Sequence, residues 1–228
     1  MEKWFGVHPA VRGVDFSLFA GEFLALFGPN GAGKSTLLRL LAGTMRPSAG
    51  EVWMSGAPLD HDDASWRSRI GVLSHQTFLY GPLTAAENLH LYAKLYRLER
   101  PGERVERMLR EVGLWERRDQ QVRDFSRGMK QRAALARTLL HDPAIVLLDE
   151  PYTGLDPHAA TMLRGALERL KDGRRTVVLV THNLSQGLEM ADRVAVQVGG
   201  VWVSDEPRAA IDATAFERLY TERVAGRA

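Results

Sequence analysis

The run Phe23-Leu-Ala-Leu-Phe27 is followed at once by Gly28-Pro-Asn-Gly-Ala-Gly33-Lys34-Ser35 and then by Thr36-Leu-Leu-Arg-Leu-Leu-Ala42, and no other feature narrows the fold as much. An unbroken apolar run suits a strand covered on both faces, whereas the leucines after Ser35 recur at helical spacing. The residues between have the spacing G-x-x-x-x-G-K-[ST], in the strand, loop and helix setting that this motif requires. Its glycines let successive backbone N–H groups turn inward on phosphate oxygens, and the helix start adds unpaired donors and the positive end of its dipole. Lys34 then supplies a full charge between β- and γ-phosphates, and Ser35 a hydroxyl for Mg²⁺. A chance match arises on the order of once in a hundred chains of this length at average glycine content. We therefore expect a nucleotide at Gly28, Asn30, Gly31, Ala32, Gly33, Lys34, Ser35 and Thr36.

The remaining pattern extends this unit into an α/β fold. Apolar or alternating runs at 14–19, 22–27, 51–55 and 70–74 predict short strands divided by Gly and Pro turns. Thr84 followed by Glu87 is a capping-box pattern ahead of Leu89, Tyr92, Ala93 and Tyr96 at helix spacing. Pro101 opens a second amphipathic helix carrying Val105, Met108, Leu109 and Val112. A third helix is expected from Ser126 to about 140. Strands then alternate with helices: 144–148, a helix opened by Asp156-Pro157, 176–180, a helix after His182, and 194–198. Strands about 30 residues apart with helices between them imply a mainly parallel sheet. The arginine-rich helical block is thus an insertion between two parts of one core.

Composition narrows the class further. The 228 residues are 45% hydrophobic and 25% charged, which argues against disorder or fibrous structure. The longest unbroken apolar runs, 23–27 and 144–148, hold five residues each, against roughly 18 to 20 for a helix that crosses a bilayer. The absence of cysteine excludes disulfides, thiol nucleophiles and cysteine-ligated zinc. The start Met1-Glu-Lys-Trp-Phe-Gly6 has no apolar stretch of a secretory signal. A net charge of +2 is too small to argue for nucleic acid. The excess is local: residues 97–132 hold eleven Lys and Arg against seven Asp and Glu, either a solvated helical face or a docking surface.

A second acidic feature complements the loop. Ile145-Val-Leu-Leu-Asp149-Glu150 places two carboxylates at the C-terminal end of a predicted central strand, the edge at which open α/β sheets bind ligands. Adjacent residues project differently as a strand ends, so one can hold Mg²⁺ while the other takes a proton from an attacking water. Asp149 is the expected metal residue and Glu150 the expected base.

Four further segments complete a family pattern. Gln76 follows a strand in Ser74-His-Gln; Phe125-Ser-Arg-Gly-Met129 continues into Lys130-Gln-Arg132; Gly154-Leu-Asp156 follows the acids; Thr181-His182 follows a strand. In this order, with the two motifs above, they resemble the ATP-binding subunits of ABC transporters over nearly the whole chain. The four correspond in turn to the family's glutamine loop, its L-S-G-G-Q signature, the loop after the base and the switch histidine. The resemblance implies a P-loop NTPase of the ABC nucleotide-binding type, with a parallel core sheet, an antiparallel β subdomain and an inserted helical subdomain. The chain would be one domain, its core about 1–80 and 141–228 and its helical part about 81–140.

The resemblance also implies roles. His182 would touch the γ-phosphate and hold the lytic water; Gln76 would reach Mg²⁺ or that water; Phe5, with Trp4 as the fallback, would stack on adenine; Asp156 would join the nucleotide site. Ser126 at a helix start, with an exposed Gly128 N–H, is an anion site. Held more than a domain radius from a nucleotide on its own chain, it would cover the γ-phosphate bound by a second copy. Two chains head to tail, a homodimer enclosing two ATP molecules, would then drive a separate transmembrane permease from the cytoplasmic face of the membrane as a peripheral subunit.

Some features depart from the pattern. The signature has Phe125, Arg127 and Met129 where Leu, Gly and Gln are usual, and family members begin one strand earlier, which leaves room for a start upstream of Met1. Two other classes share the loop: ATPases acting on nucleic acid, and small-molecule kinases or GTPases. The long coiled coils and cysteine zinc modules usual in the former are absent, as is an Asn-Lys-x-Asp guanine motif, so no nucleic acid is expected. For cargo, Ser74-His-Gln-Thr-Phe-Leu-Tyr80, Glu87-Asn-Leu-His-Leu-Tyr92, Ser126-Arg-Gly-Met129 and the stretch 148–157 resemble the cytochrome c maturation haem exporter. Multidrug, polysaccharide and lipid exporters share much of this pattern.

Overall fold

The computed structural model describes residues 1–63, 65–74 and 76–225. In chain order, β1 (Lys3–Phe5) and β2 (His8–Val11) form a hairpin, and β3 (Phe23–Phe27) runs through the glycine loop into α1 (Lys34–Leu41). A minimal hairpin of β4 (Trp53–Met54) and β5 (Ala57–Pro58) precedes β6 (Ile70–Leu73). Three helices follow: α2 (Ala85–Leu95), α3 (Pro101–Glu111) and α4 (Arg127–Leu139). The alternation then resumes with β7 (Ile145–Asp149), α5 (Pro157–Glu168), β8 (Thr176–Val180), α6 (Leu184–Met190), β9 (Arg193–Val198), β10 (Val201–Pro207) and α7 (Ala213–Ala225).

The main sheet has six strands in the order β10-β9-β3-β8-β7-β6, parallel throughout except for β10 at the edge. Its strands read as continuous apolar runs because both faces are covered. The pleat sends successive side chains to opposite cores. Leu24, Leu26, Leu147, Val178 and Val180 pack with Leu37, Leu38 and Leu40 of α1. Val146, Leu148, Val177 and Leu179 pack instead with Leu135 of α4 and Leu163 and Leu167 of α5. Ala25 and Phe27 join a third cluster with Leu188 of α6 and Phe216 of α7. Burying each such side chain contributes about 1.5–3 kcal/mol, so the strand that launches the glycine loop is anchored on both faces.

Two expected strands are not realised as such. Residues 14–19 form no ladder; beyond a reciprocal pair of bonds between Val14 and Met1, no strand pairs with them among the described residues. Their alternation survives as packing, with Val14, Phe16 and Leu18 turned to the α1 core. Of 51–55 only Trp53 and Met54 pair, across a turn in which Ser55 and Gly56 have φ of 54° and 81°, the type I′ combination. The antiparallel β part is thus two short hairpins.

The helical insertion follows its sequence signals. Thr84 Oγ1 accepts from the Glu87 N–H at 3.1 Å and Glu87 Oε2 accepts from the Thr84 N–H at 2.8 Å, a complete capping box. Asn88, fully buried, accepts from the Tyr80 N–H and donates to the carbonyls of Tyr80, Leu83 and Thr84, tying α2 to the segment after β6. Arg137 of α4 donates to Val72 O at 2.7 Å and lies against the rings of Phe78 and Tyr92.

Candidate nucleotide site

β3, β7 and β8 finish at one edge of the sheet, Asp149 lying beside Val180 and Leu26 beside the same valine. The segments leaving them converge on a cleft of about 710 Å³. Gly28, Asn30, Ser35, Asp149, Glu150 and His182, six of the residues expected from sequence, line it together.

The loop's glycines are demanded by its geometry at two points. A Cβ on Gly28 would collide with the Gln197 carbonyl, and one on Gly33, at φ 97°, with the Ala10 carbonyl. Gly33 also stands at the N-cap of α1 and offers no side-chain cap, which leaves the first N–H groups of that helix free for an anion. Lys34 is 8% exposed, and its ammonium donates to Gly28 O at 2.7 Å and Pro29 O at 2.9 Å. Burial pushes its pKa down, while the charges of Glu150 and then Asp149 oppose that shift.

The acids take different positions, as expected. Asp149 ends β7 at 9% exposure and makes no ion pair among the described residues. Glu150 has turned out of the strand into a left-handed conformation at φ 50°, its N–H bonded to Val180 O at 2.9 Å. Such a conformation costs a non-glycine residue about 1–3 kcal/mol, and here it swings the carboxylate across to β8's exit. Glu150 Oε2 lies 2.8 Å from His182 Nδ1 and accepts from Thr153 Oγ1 at 3.4 Å.

The donor set fits Mg²⁺. One nearly buried carboxylate and one hydroxyl, Asp149 and Ser35, face the cleft, and no cluster of three or more His, Cys, Asp or Glu able to hold a metal occurs among the described residues. Mg²⁺ is commonly bound in this way, by one or two protein oxygens plus phosphate and water.

Other expected residues lie elsewhere. Gln76 is exposed and outside the cleft lining; the Ser74 hydroxyl accepts from the Gln76 N–H and donates to its carbonyl, and it is Thr77 that lines the cleft. Asp156 is occupied in capping α5, its Oδ1 accepting from the Ala159 N–H at 2.8 Å. Ser126 likewise caps α4, accepting from the Met129 N–H at 3.2 Å. Gly128, expected to be open, is buried where a Cβ would meet Ala159 Cβ at 2.5 Å, so the glycine serves close packing of α4 on α5. Nor is the signature remote from the loop of its own chain: Arg127, Lys130 and Gln131 line the same cleft, because the Arg127 guanidinium lies against Gly154 beyond the acids. Phe5, 49% exposed in β1, is not in the lining, although its hairpin abuts the loop where Ala10 meets Gly33.

Several lining residues were not anticipated. Arg127, Lys130 and Gln131 share a helix face at i, i+3 and i+4, a spacing visible in the sequence. Thr153, three residues after Glu150, had a comparable local signal. Tyr220 had none: α7 brings it in through edge contact with Phe27. Burial raises its pKa, a backbone hydrogen bond from Gly28 opposes that, and Glu150's charge adds to it.

Comparison with known proteins agrees with this geometry. Residues 11–153 match the family model described as ABC transporter. The chain is 38% identical over 213 residues to Nod factor export ATP-binding protein I of Rhizobium meliloti (strain 1021), covering 92% of the chain and 64% of that protein. It is 37% identical over 188 residues to ABC transporter ATP-binding protein NatA of Bacillus subtilis (strain 168), covering 81% and 76% respectively. Linearmycin resistance ATP-binding protein LnrL of the same strain is 33% identical over 199 residues, covering 86% and 64%. The chain thus spans less than two thirds of the Nod factor and linearmycin proteins. Among solved structures, the dimeric post-hydrolysis state of the ATP-binding cassette MJ0796 bound to ADP and Pi is 28% identical, with a TM-score of 0.82 over 92% of this chain and 96% of that one.

Proposed function

This chain belongs to the ABC transporter family, and from that premise we propose that it hydrolyses ATP with Mg²⁺ to power a separate transmembrane permease. What carries the reading is Lys34, folded onto the Gly28 and Pro29 carbonyls within the field of Asp149 and Glu150, with the Glu150–His182 pair across the same cleft.

On binding, Lys34 exchanges those carbonyls for the β- and γ-phosphate oxygens, and the backbone N–H groups of residues 31–36 hold the rest of the triphosphate. Ser35 and Asp149 hold the cation, which when bound supplies charge neutralisation and polarises the transferring phosphoryl group. Glu150 accepts the proton of the attacking water at Oε1, since Oε2 is engaged by His182 and Thr153. His182 uses Nδ1 to orient that carboxylate and presents its other ring nitrogen to the γ-phosphate. Gln76, on the segment between β6 and α2, adjusts cation or water as the loop responds to the permease. Phe5 stacks on adenine beside the hairpin.

We read the chain as one nucleotide-binding domain, core about 1–80 and 141–228 with a helical part about 81–140, working as a homodimer. Ser126 acts across the dimer, on the nucleotide of the second copy, while Gly128 holds α4 close on α5 and Asp156 caps α5. The permease contact falls at Phe78 and Tyr80, whose rings are more than half exposed. The subunit sits peripherally on the cytoplasmic face of the membrane, and the direction is export. Haem is the finer cargo reading and rests on the four short runs above; two of the relatives are named for Nod factor export and linearmycin resistance. Glu150→Gln tests the core of this reading: ATP binding persists while turnover falls by ~10² or more, the scale of a general base. Turnover equal to the unaltered chain would remove the assignment.

A further inference from the structure

Gln197 on β9 is fully buried, and neither heteroatom of its side-chain amide has a hydrogen-bond partner among the described residues. Its neighbours on the strand, Val194, Ala195, Val196 and Val198, are all apolar and buried, so an amide here runs against the pattern of its own strand. A buried amide without partners is destabilising and calls for an explanation. Its position supplies one. The Gln197 backbone carbonyl is what excludes a side chain at Gly28, and a Cβ at Gly33 would stand 2.8 Å from the side-chain Nε2 of Gln197. The residue therefore lies against the phosphate loop at both of its constrained glycines, with its backbone at Gly28 and its amide at Gly33, and is not among the residues lining the cleft.

We infer that Gln197 is a positioning residue of the phosphate loop, its amide held in reserve for loop backbone groups that lose their partner when nucleotide binds. The inference rests on the reading of the cleft as an ATP site. The Gly28 carbonyl accepts from the Lys34 ammonium, and the Pro29 carbonyl accepts from that ammonium and from the Ala32 N–H. When Lys34 turns to phosphate, the Gly28 carbonyl loses its donor in a buried setting, where an unpaired carbonyl is costly, whereas Pro29 O keeps the Ala32 N–H at 3.2 Å. An amide carries donors and acceptors together, so it can bond whichever backbone group the rearranged loop presents. Its lack of partners before binding is the counterpart of bonds made after binding. Because those bonds form with the ground-state complex and persist through reaction, they act on affinity rather than on the chemical step.

Gln197→Met and Gln197→Leu keep the volume and remove the amide. In the full chain without nucleotide, both should melt about 2 °C or more above the unaltered protein, as expected when a buried unsatisfied group is removed from a chain of this size. Calorimetry with Mg-ATP should show affinity weaker by about fivefold, the scale of one hydrogen bond, and KM should rise alike while kcat stays within about twofold. Unchanged ATP affinity in both variants would overturn the inference, leaving the amide a buried spectator. A fall in melting temperature in both would also overturn it, by showing that the amide is already bonded before nucleotide arrives. Lys34→Ala, measured in parallel, separates the two readings: ATP affinity unchanged in that variant would remove the cleft as the ATP site, whereas a loss there with none in the Gln197 variants would remove only the role of Gln197.

Discussion

At the scale of single residues, the site is a set of side chains whose present partners mark the ligands they are built to exchange. Lys34 is the clearest: an ammonium buried on two carbonyls of its own loop is stable enough to persist, yet burial lowers its pKa, so an anion entering beside it gains the full charge in a poorly screened setting. Lys34→Ala is expected to weaken ATP binding by tenfold or more in a calorimetric titration, the scale of a charge-assisted bond, with the chain still folded. These residues were legible because their chemistry is local: the glycine spacing, the paired acids and the histidine after a strand each announce themselves within a few positions. Tyr220 and Gln197 were not, since nothing within ten residues of either points to the loop that they reach through the packing of α7 and β9.

Among elements, the legible parts are those that carry their own period or cap. α2 begins at its capping box, α3 at Pro101 and α5 at Asp156, and the buried strands stand within a residue or two of their apolar runs. Residues 14–19 fail as a strand because a ladder needs a neighbour, which alternation alone cannot provide. Close packing between helices is equally invisible in one dimension, as Gly128 shows. We expect Gly128→Ala to lower the unfolding free energy by about 1–3 kcal/mol through overpacking on Ala159, and the double change with Ala159→Gly to recover part of it in a denaturant titration. The junction of α4 with β6 carries a pH dependence. His141 follows α4, stacks on Tyr96 and places Nε2 3.2 Å from Ile70 O, while its buried Nδ1 has no partner among the described residues. Burial lowers its pKa from 6.5, so below about pH 6.5 the unfolded chain takes up a proton that the folded chain resists. Stability is then complete above that pH and declines as pH falls through the window beneath it. His141→Gln should flatten that decline in urea titrations between pH 7 and pH 5.

For the whole molecule, the charge pattern resolves into two parts. Along α3 and its N-cap three cations are matched at i, i+3 or i+4, Arg100 with Glu103, Arg107 with Glu111 and Arg110 with Glu106; exposed as they are, such pairs contribute little, about 0.3–0.5 kcal/mol each. Most of the basic block is therefore a solvated face. Arg127 and Lys130 differ in their position, since both line the nucleotide cleft. A second copy docking on that cleft would place its own α4 against the first copy's triphosphate, the arrangement that the proposed homodimer requires. No helix among the described residues is long and apolar enough to cross a membrane. Ser126→Arg should leave ATP binding by the single chain intact while preventing two chains from closing, as read by sedimentation. The most direct test of a nucleotide-closed pair is the solution mass of the Glu150→Gln chain by light scattering. The account predicts a doubled mass with Mg-ATP and a single-chain mass with Mg-ADP; the same mass with either nucleotide would contradict it.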